Sequence, residues 1–143
     1  MDSYNERAAN DLAINFKDPT KNLFWFERGL GEGGQALLRR ALELAGLEYR
    51  EIRLNLCYSL DLEEIFQSLP DKPGMIILDD YDRTDKFVVD LITFTMLYYE
   101  YRKMISDTKD VIYIPSQWKF VIVTQPRAWI PSPPLHKRLC RIA

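Results

Sequence analysis

Residues Gly29-Leu30-Gly31-Glu32-Gly33-Gly34-Gln35-Ala36 keep the glycine frame of a phosphate-binding loop, G-x-x-x-x-G-K-[ST], but change both residues that act on the phosphate. Gly29 and Gly34 hold the two glycine positions, Gln35 stands where the lysine belongs and Ala36 where the Ser or Thr belongs. That lysine reaches the β- and γ-phosphates, and the hydroxyl ligates Mg²⁺. A neutral amide and a methyl group do neither well. The loop's backbone N–H groups and the N-terminus of the helix after it still favour an anion. Gly29, Gly31, Gly33, Gly34, Gln35 and Ala36 are therefore candidate nucleotide contacts, and the adjacent Arg28 is a candidate source of the missing charge.

Two further groups could act with the loop. Asp79-Asp80 closes the apolar run Met75-Ile76-Ile77-Leu78. In a nucleotide site Asp79 would hold Mg²⁺ through water while Asp80 polarises the attacking water. Thr124-Gln125 closes the run Trp118 to Val123, where Gln125 could orient that water or sense a γ-phosphate. Singly, each has a plainer reading: a turn, a strand stop, an uninformative polar pair. Their order and separations, about one β-α unit each, are what join them.

The elements that would position these residues follow from hydrophobic spacing. A short polar helix is expected over 4–16, before the break Lys17-Asp18-Pro19-Thr20. Leu23-Phe24-Trp25-Phe26 reads as a buried strand entering the glycine loop, and Ala36 to Ala45 as a helix stopped by Gly46. Strands follow at Tyr49–Leu56, Met75–Asp80 and Trp118–Thr124, with a last one starting at Leu139. Helices are expected from Asp61 to Leu69 and from Lys86 to about Met104. Nearly all-apolar strands alternating with helices predict a three-layer α/β fold, its mainly parallel five-stranded sheet covered on both faces. Residues 1–18 are expected to be an N-terminal extension and 19–143 the nucleotide-binding domain.

At 143 residues the chain suffices for one hydrophobic core, and its three Trp, eight Tyr and seven Phe argue against disorder. A net charge of −2 gives no global basic field. From Lys119 to Arg141, however, the stretch carries Lys119, Arg127, Lys137, Arg138 and Arg141 with no acidic residue, which suits a solvated face or phosphate contact. Cys57 and Cys140 have no partners at zinc spacing and give no disulfide framework. No apolar run reaches a membrane span and no signal-peptide core opens the chain. The expectation is an intracellular protein without a membrane partner, cytoplasmic, or nuclear if it comes from a eukaryotic host or its virus.

The chain resembles the helicase domain of the replication initiator (Rep) proteins of small circular single-stranded DNA viruses, superfamily 3 helicases within the wider AAA+ group of P-loop NTPases. Leu23 to Gly34 resembles their apolar strand and Walker A loop, Met75 to Asp80 their Walker B, and Phe120 to Gln125 their motif C, which usually ends in Asn. Leu135 to Ile142 resembles the basic segment that offers an arginine finger to a neighbouring subunit, which would make Arg138 or Arg141 that finger. The likeness covers about residues 19–142. It implies ATP and Mg²⁺ as cofactors, a homo- or hetero-oligomer, and single-stranded nucleic acid gripped by basic residues before motif C, here Lys103 and Lys109 beside the strand-like Val111 to Ile114. The departures are Gln35, Ala36 and Gln125. A single histidine, His136, also rules out the His-hydrophobic-His metal motif of the initiators' endonuclease domain.

Loss of the lysine's charge-assisted contact is expected to slow hydrolysis by roughly 10²–10⁴-fold, while ground-state binding suffers less. The leading expectation is a degenerate nucleotide-binding domain acting through oligomer or polynucleotide contacts. A catalytically inactive module that joins or inhibits a ring of active subunits is the alternative. A third reading, an active ATPase, would use Arg28 for charge and Asp79-Asp80 for metal.

Overall fold

Strands covered on both faces must be apolar on both, and this requirement organises the chain. The computed structural model describes residues 3–27, 33–56, 59–102, 111–125 and 133–142. Among these, β1 (Leu23–Glu27), β2 (Glu48–Arg53), β3 (Gly74–Asp79), β6 (Trp118–Thr124) and β7 (Leu139–Ile142) form one sheet in the order β2-β3-β6-β1-β7, and every neighbouring pair is parallel. All six residues of β3 are buried, and six of the seven in β6. The expected α/β sheet is present, with the strand that leads into the glycine loop separated from the strand bearing the acid pair by β6 alone.

Alternation along the central strands sorts their side chains into two cores. Phe24, Phe26, Met75, Ile77, Val121 and Val123 face α1 (Ser3–Lys17) and α2 (Gly33–Ala45), whose Ala9, Leu12, Phe16, Leu38, Ala41 and Leu42 cover them. Leu23, Ile76, Leu78, Trp118, Phe120 and Ile122 face the other side, under α3 (Ser59–Gln67) and α4 (Lys86–Tyr98). Phe16 meets Phe24 edge-on with ring centroids 5.0 Å apart. The Lys119 ammonium, half-buried on β6, donates to the carbonyls of Phe16 (2.7 Å) and Asp18 (2.8 Å) and so satisfies the C-terminus of α1.

Two boundaries depart from the periodicity. β2 ends at Arg53 and Leu54–Leu56 make a 3₁₀ turn, because Leu54 turns back into the core. The expected helix to Met104 stops at Tyr98. Tyr99 takes the left-handed conformation (φ 57°) and donates its N–H to the Thr95 carbonyl at 2.8 Å, a helix-ending cap. The chain then turns into β4 (Glu100–Arg102), antiparallel to β5 (Val111–Tyr113). Tyr101 of this hairpin packs on Phe66, and Tyr99 on Phe120. A short α5 (Pro133–His136) precedes β7. Among the described residues no helix is long and apolar enough to cross a membrane.

Gly74 opens β3 against the face of Trp118, whose indole N–H donates to the Pro70 carbonyl at 2.8 Å. A Cβ at Gly74 would stand 2.5 Å from the ring, inside contact distance, and the fully buried Trp118 has no room to retreat. Gly74→Ala should therefore lower stability by about 1–3 kcal/mol, read as a lower urea midpoint with unchanged slope. A second expectation concerns alkali. Burial pushes the phenols of Tyr81 and Tyr101 up to about 12 from their ordinary 10. The folded chain then holds protons that the unfolded chain releases, so the contribution is complete below pH 10 and disappears as pH climbs towards 12. Urea midpoints measured between pH 9 and pH 11.5 should fall above pH 10, and Tyr101→Phe should flatten that fall.

Candidate functional site

A sheet buried on both faces leaves polar groups to its ends, and the carboxyl ends of the strands here gather the charged residues. Asp79 ends β3, and its carboxylate oxygens are both engaged. The Gln35 side-chain amide, in the first turns of α2, donates to Asp79 Oδ2 at 2.6 Å, and the Asp80 backbone N–H donates to Asp79 Oδ1 at 2.8 Å. Asp79 is 5% exposed. The residue in the lysine position and the first acid thus meet directly.

Asp80 lies just beyond the strand rather than within it. It is left-handed (φ 56°, ψ 34°), a conformation that Asp adopts more readily than most residues. A 3₁₀ turn over Tyr81–Arg83 follows, and the Asp80 carbonyl accepts from the Arg83 N–H (3.0 Å) and the Thr84 hydroxyl (2.7 Å). Arg53, which ends β2, approaches the Asp80 carboxylate at 3.8 Å. The two neighbouring acids therefore face different partners.

The end of β6 is held from β1. Trp25 donates its indole N–H to the buried Thr124 hydroxyl at 2.9 Å, and Glu27 lies in register with Thr124. Gln125 follows, half-buried. Glu27 in turn pairs with Arg141 of β7, whose guanidinium lies over the Trp25 ring at 5.1 Å. Arg138 is exposed and donates to the Leu97 carbonyl at 3.1 Å, at the end of α4.

On the α2 side, a cavity of about 220 Å³ opens between α2 and the ends of β2 and β3, lined by Gln35, Arg39, Glu51, Arg53 and Asp79 together with Ile52 and Ile77. Arg39 forks onto Glu51 through Nε (2.8 Å) and Nη2 (3.0 Å), and this contact holds its guanidinium above its usual range. Glu27, Arg39, Glu51 and Arg53 were not among the residues expected from sequence. Each is a charged residue near a strand end or on a helix face; the fold gathers Arg39, Glu51 and Arg53 around Asp79 and sets Glu27 further along the same edge, beside Thr124.

The structure thus brings Gln35 against Asp79, leaves Asp80 next to it in the chain and Gln125 just past the end of the neighbouring β6, and puts Gly33 and Gly34 in the opening turn of α2. Ala36 is exposed on that helix. Arg28, Gly29, Gly31, Lys103 and Lys109 lie outside the described residues.

Solved structures share this arrangement of strands and helices. A mutant of RuvB from Thermotoga maritima superposes with a TM-score of 0.66 at 15% identity, over 97% of this chain and 46% of its own. NtrX from Brucella abortus in complex with ADP gives 0.63 at 8% identity, over 99% of this chain and 36% of its own. The Holliday junction branch migration motor RuvB of Thermotoga maritima gives 0.62 at 16% identity, over 96% of this chain and 44% of its own. The fold is that of the AAA+ P-loop ATPases. The chain spans less than half the length of these proteins. No protein-family model matches the sequence, and no curated protein matches it.

The contact at the centre of the site gives a direct expectation. Gln35→Glu would set a second carboxylate against Asp79 at hydrogen-bond distance, where two like charges cannot both be kept. The variant should lose about 1–3 kcal/mol at pH 7. Because the folded pair would retain a proton that the unfolded chain gives up, the deficit should shrink as pH falls towards 5, checked by urea unfolding at the two pH values.

Proposed function

We propose that this chain is a degenerate AAA+-type nucleotide-binding domain of the Rep-helicase kind, with weak or no ATP hydrolysis, acting in nucleic-acid replication or remodelling through oligomer or polynucleotide contacts. The observation that carries the reading is the 2.6 Å contact between Gln35 and Asp79. These residues are 44 positions apart and were singled out separately from sequence, one as the end of a glycine loop and the other as the end of an apolar strand. Their convergence at the carboxyl edge is what a P-loop site needs. The shared fold supports it: NtrX carries ADP in the same architecture, and RuvB is a branch migration motor on a DNA junction.

The chemistry left to the site is holding rather than cleaving. A phosphate can use the N-terminus of α2, but neither Gln35 nor Ala36 supplies the charge or the hydroxyl that hydrolysis draws on. ATP turnover should lie roughly 10²–10⁴-fold below that of the doubly repaired variant Gln35→Lys with Ala36→Thr. Isothermal titration with ATP and Mg²⁺, followed by phosphate release, measures both. If neither the wild type nor the repaired variant takes up any nucleotide, the reading is wrong.

One observation favours the second reading, an inactive module that joins or inhibits a ring of active subunits. Phe87, Tyr98 and Tyr113 are 62%, 61% and 72% exposed, and Arg138 is exposed beside the end of α4. Large apolar side chains left exposed on α4 and β5, with a cation at one end of α4, suit a protein partner. Turnover of an active AAA+ ATPase that changes on mixing with this chain would favour the module. A monomer without effect on such an enzyme would remove it.

A further inference from the structure

The AAA+ fold implies Mg²⁺ beside the nucleotide, and the residues at this edge do not fit one. A P-loop Mg²⁺ takes a hydroxyl from the loop's Ser or Thr and a carboxylate from the strand across from it. The hydroxyl position is Ala36. The carboxylate is Asp79, whose Oδ2 accepts the Gln35 amide at 2.6 Å and whose Oδ1 accepts the Asp80 N–H at 2.8 Å. A cation drawing on Asp79 would have to displace the amide and would find no hydroxyl opposite. Asp80 lies just past the strand in a left-handed conformation, with Arg53 3.8 Å from its carboxylate.

The charges around the edge point the same way. Among its described residues four carboxylates, Glu27, Glu51, Asp79 and Asp80, face three guanidiniums, Arg39, Arg53 and Arg141. Each guanidinium already has an acid partner. Among the described residues, a third phosphate would therefore bring its charge towards these acids with neither the loop's lysine nor Mg²⁺ to offset it. The N-terminus of α2 would offer its helix dipole to the first two phosphates instead.

Resting on the nucleotide reading above, we infer that the site takes a nucleoside diphosphate without a divalent cation, the Gln35 amide holding Asp79 in the place of the metal. The deciding measurement is binding of fluorescent N-methylanthraniloyl ADP and ATP to the full chain, with Mg²⁺ or with EDTA. Expected are ADP affinities that agree within about threefold in the two conditions and an ATP affinity no tighter than that of ADP. Tightening of either nucleotide by about tenfold or more on adding Mg²⁺ overturns the inference while leaving the nucleotide reading intact. ATP bound about tenfold tighter than ADP in EDTA overturns it too. Absence of binding in every condition overturns the nucleotide reading and this inference together. In the Gln35→Lys, Ala36→Thr variant, Mg²⁺ should tighten ATP by about tenfold or more. Should that variant fail to fold, the wild-type comparison still decides.

Discussion

Burial of β3 and β6 on both faces is the constraint from which the rest of the molecule follows. A strand with two apolar sides cannot present chemistry along its length, because an ionised group there would cost several kcal/mol without a partner. Polar residues are therefore pressed to the strand ends, and because all five strands are parallel those ends coincide. Asp79, Thr124, Glu27 and Arg53 share one edge for this reason, although they come from four separate segments of sequence. The helices follow from the same constraint, since each face of the sheet needs its own cover: α1 and α2 on one side, α3 and α4 on the other.

Within that edge, each acid described has its own partner. Gln35 and a backbone N–H hold Asp79, Arg53 attends Asp80, Arg39 forks onto Glu51, and Arg141 pairs with Glu27 across the Trp25 ring. A lysine in place of Gln35 would add a cation to this balance. The glutamine instead gives a neutral donor that fixes Asp79 without changing the charge. The contact also keeps α2 against the end of β3 at the carboxyl edge of the sheet.

The sequence made the central strands legible because their apolar runs are long and their polar ends abrupt. It also made the order of glycine loop, acid pair and polar strand end legible, since that order depends on spacing alone. Where it misled, the residue types fitted two structures. Tyr98 to Arg102 is aromatic enough for a helix face or a strand, and the left-handed Tyr99 that decides between them has no sequence signature. The pairs around the acids were not legible at all. Trp25 and Thr124 lie 99 positions apart, and nothing short of the strand register says that an indole will meet that hydroxyl.

The Lys119 ammonium has a consequence beyond packing. It sits on β6, at the opposite end from Thr124, and spans two carbonyls at the end of α1, so one amine ties a helix to the centre of the sheet. Burial lowers its proton affinity, and its two carbonyl contacts keep the amine from a reagent until α1 lifts. Acylation would leave a single amide N–H where three ammonium donors had been and would dissolve the tie. The rate at which an acylating reagent finds Lys119 is thus a clock for how often α1 lifts from the sheet.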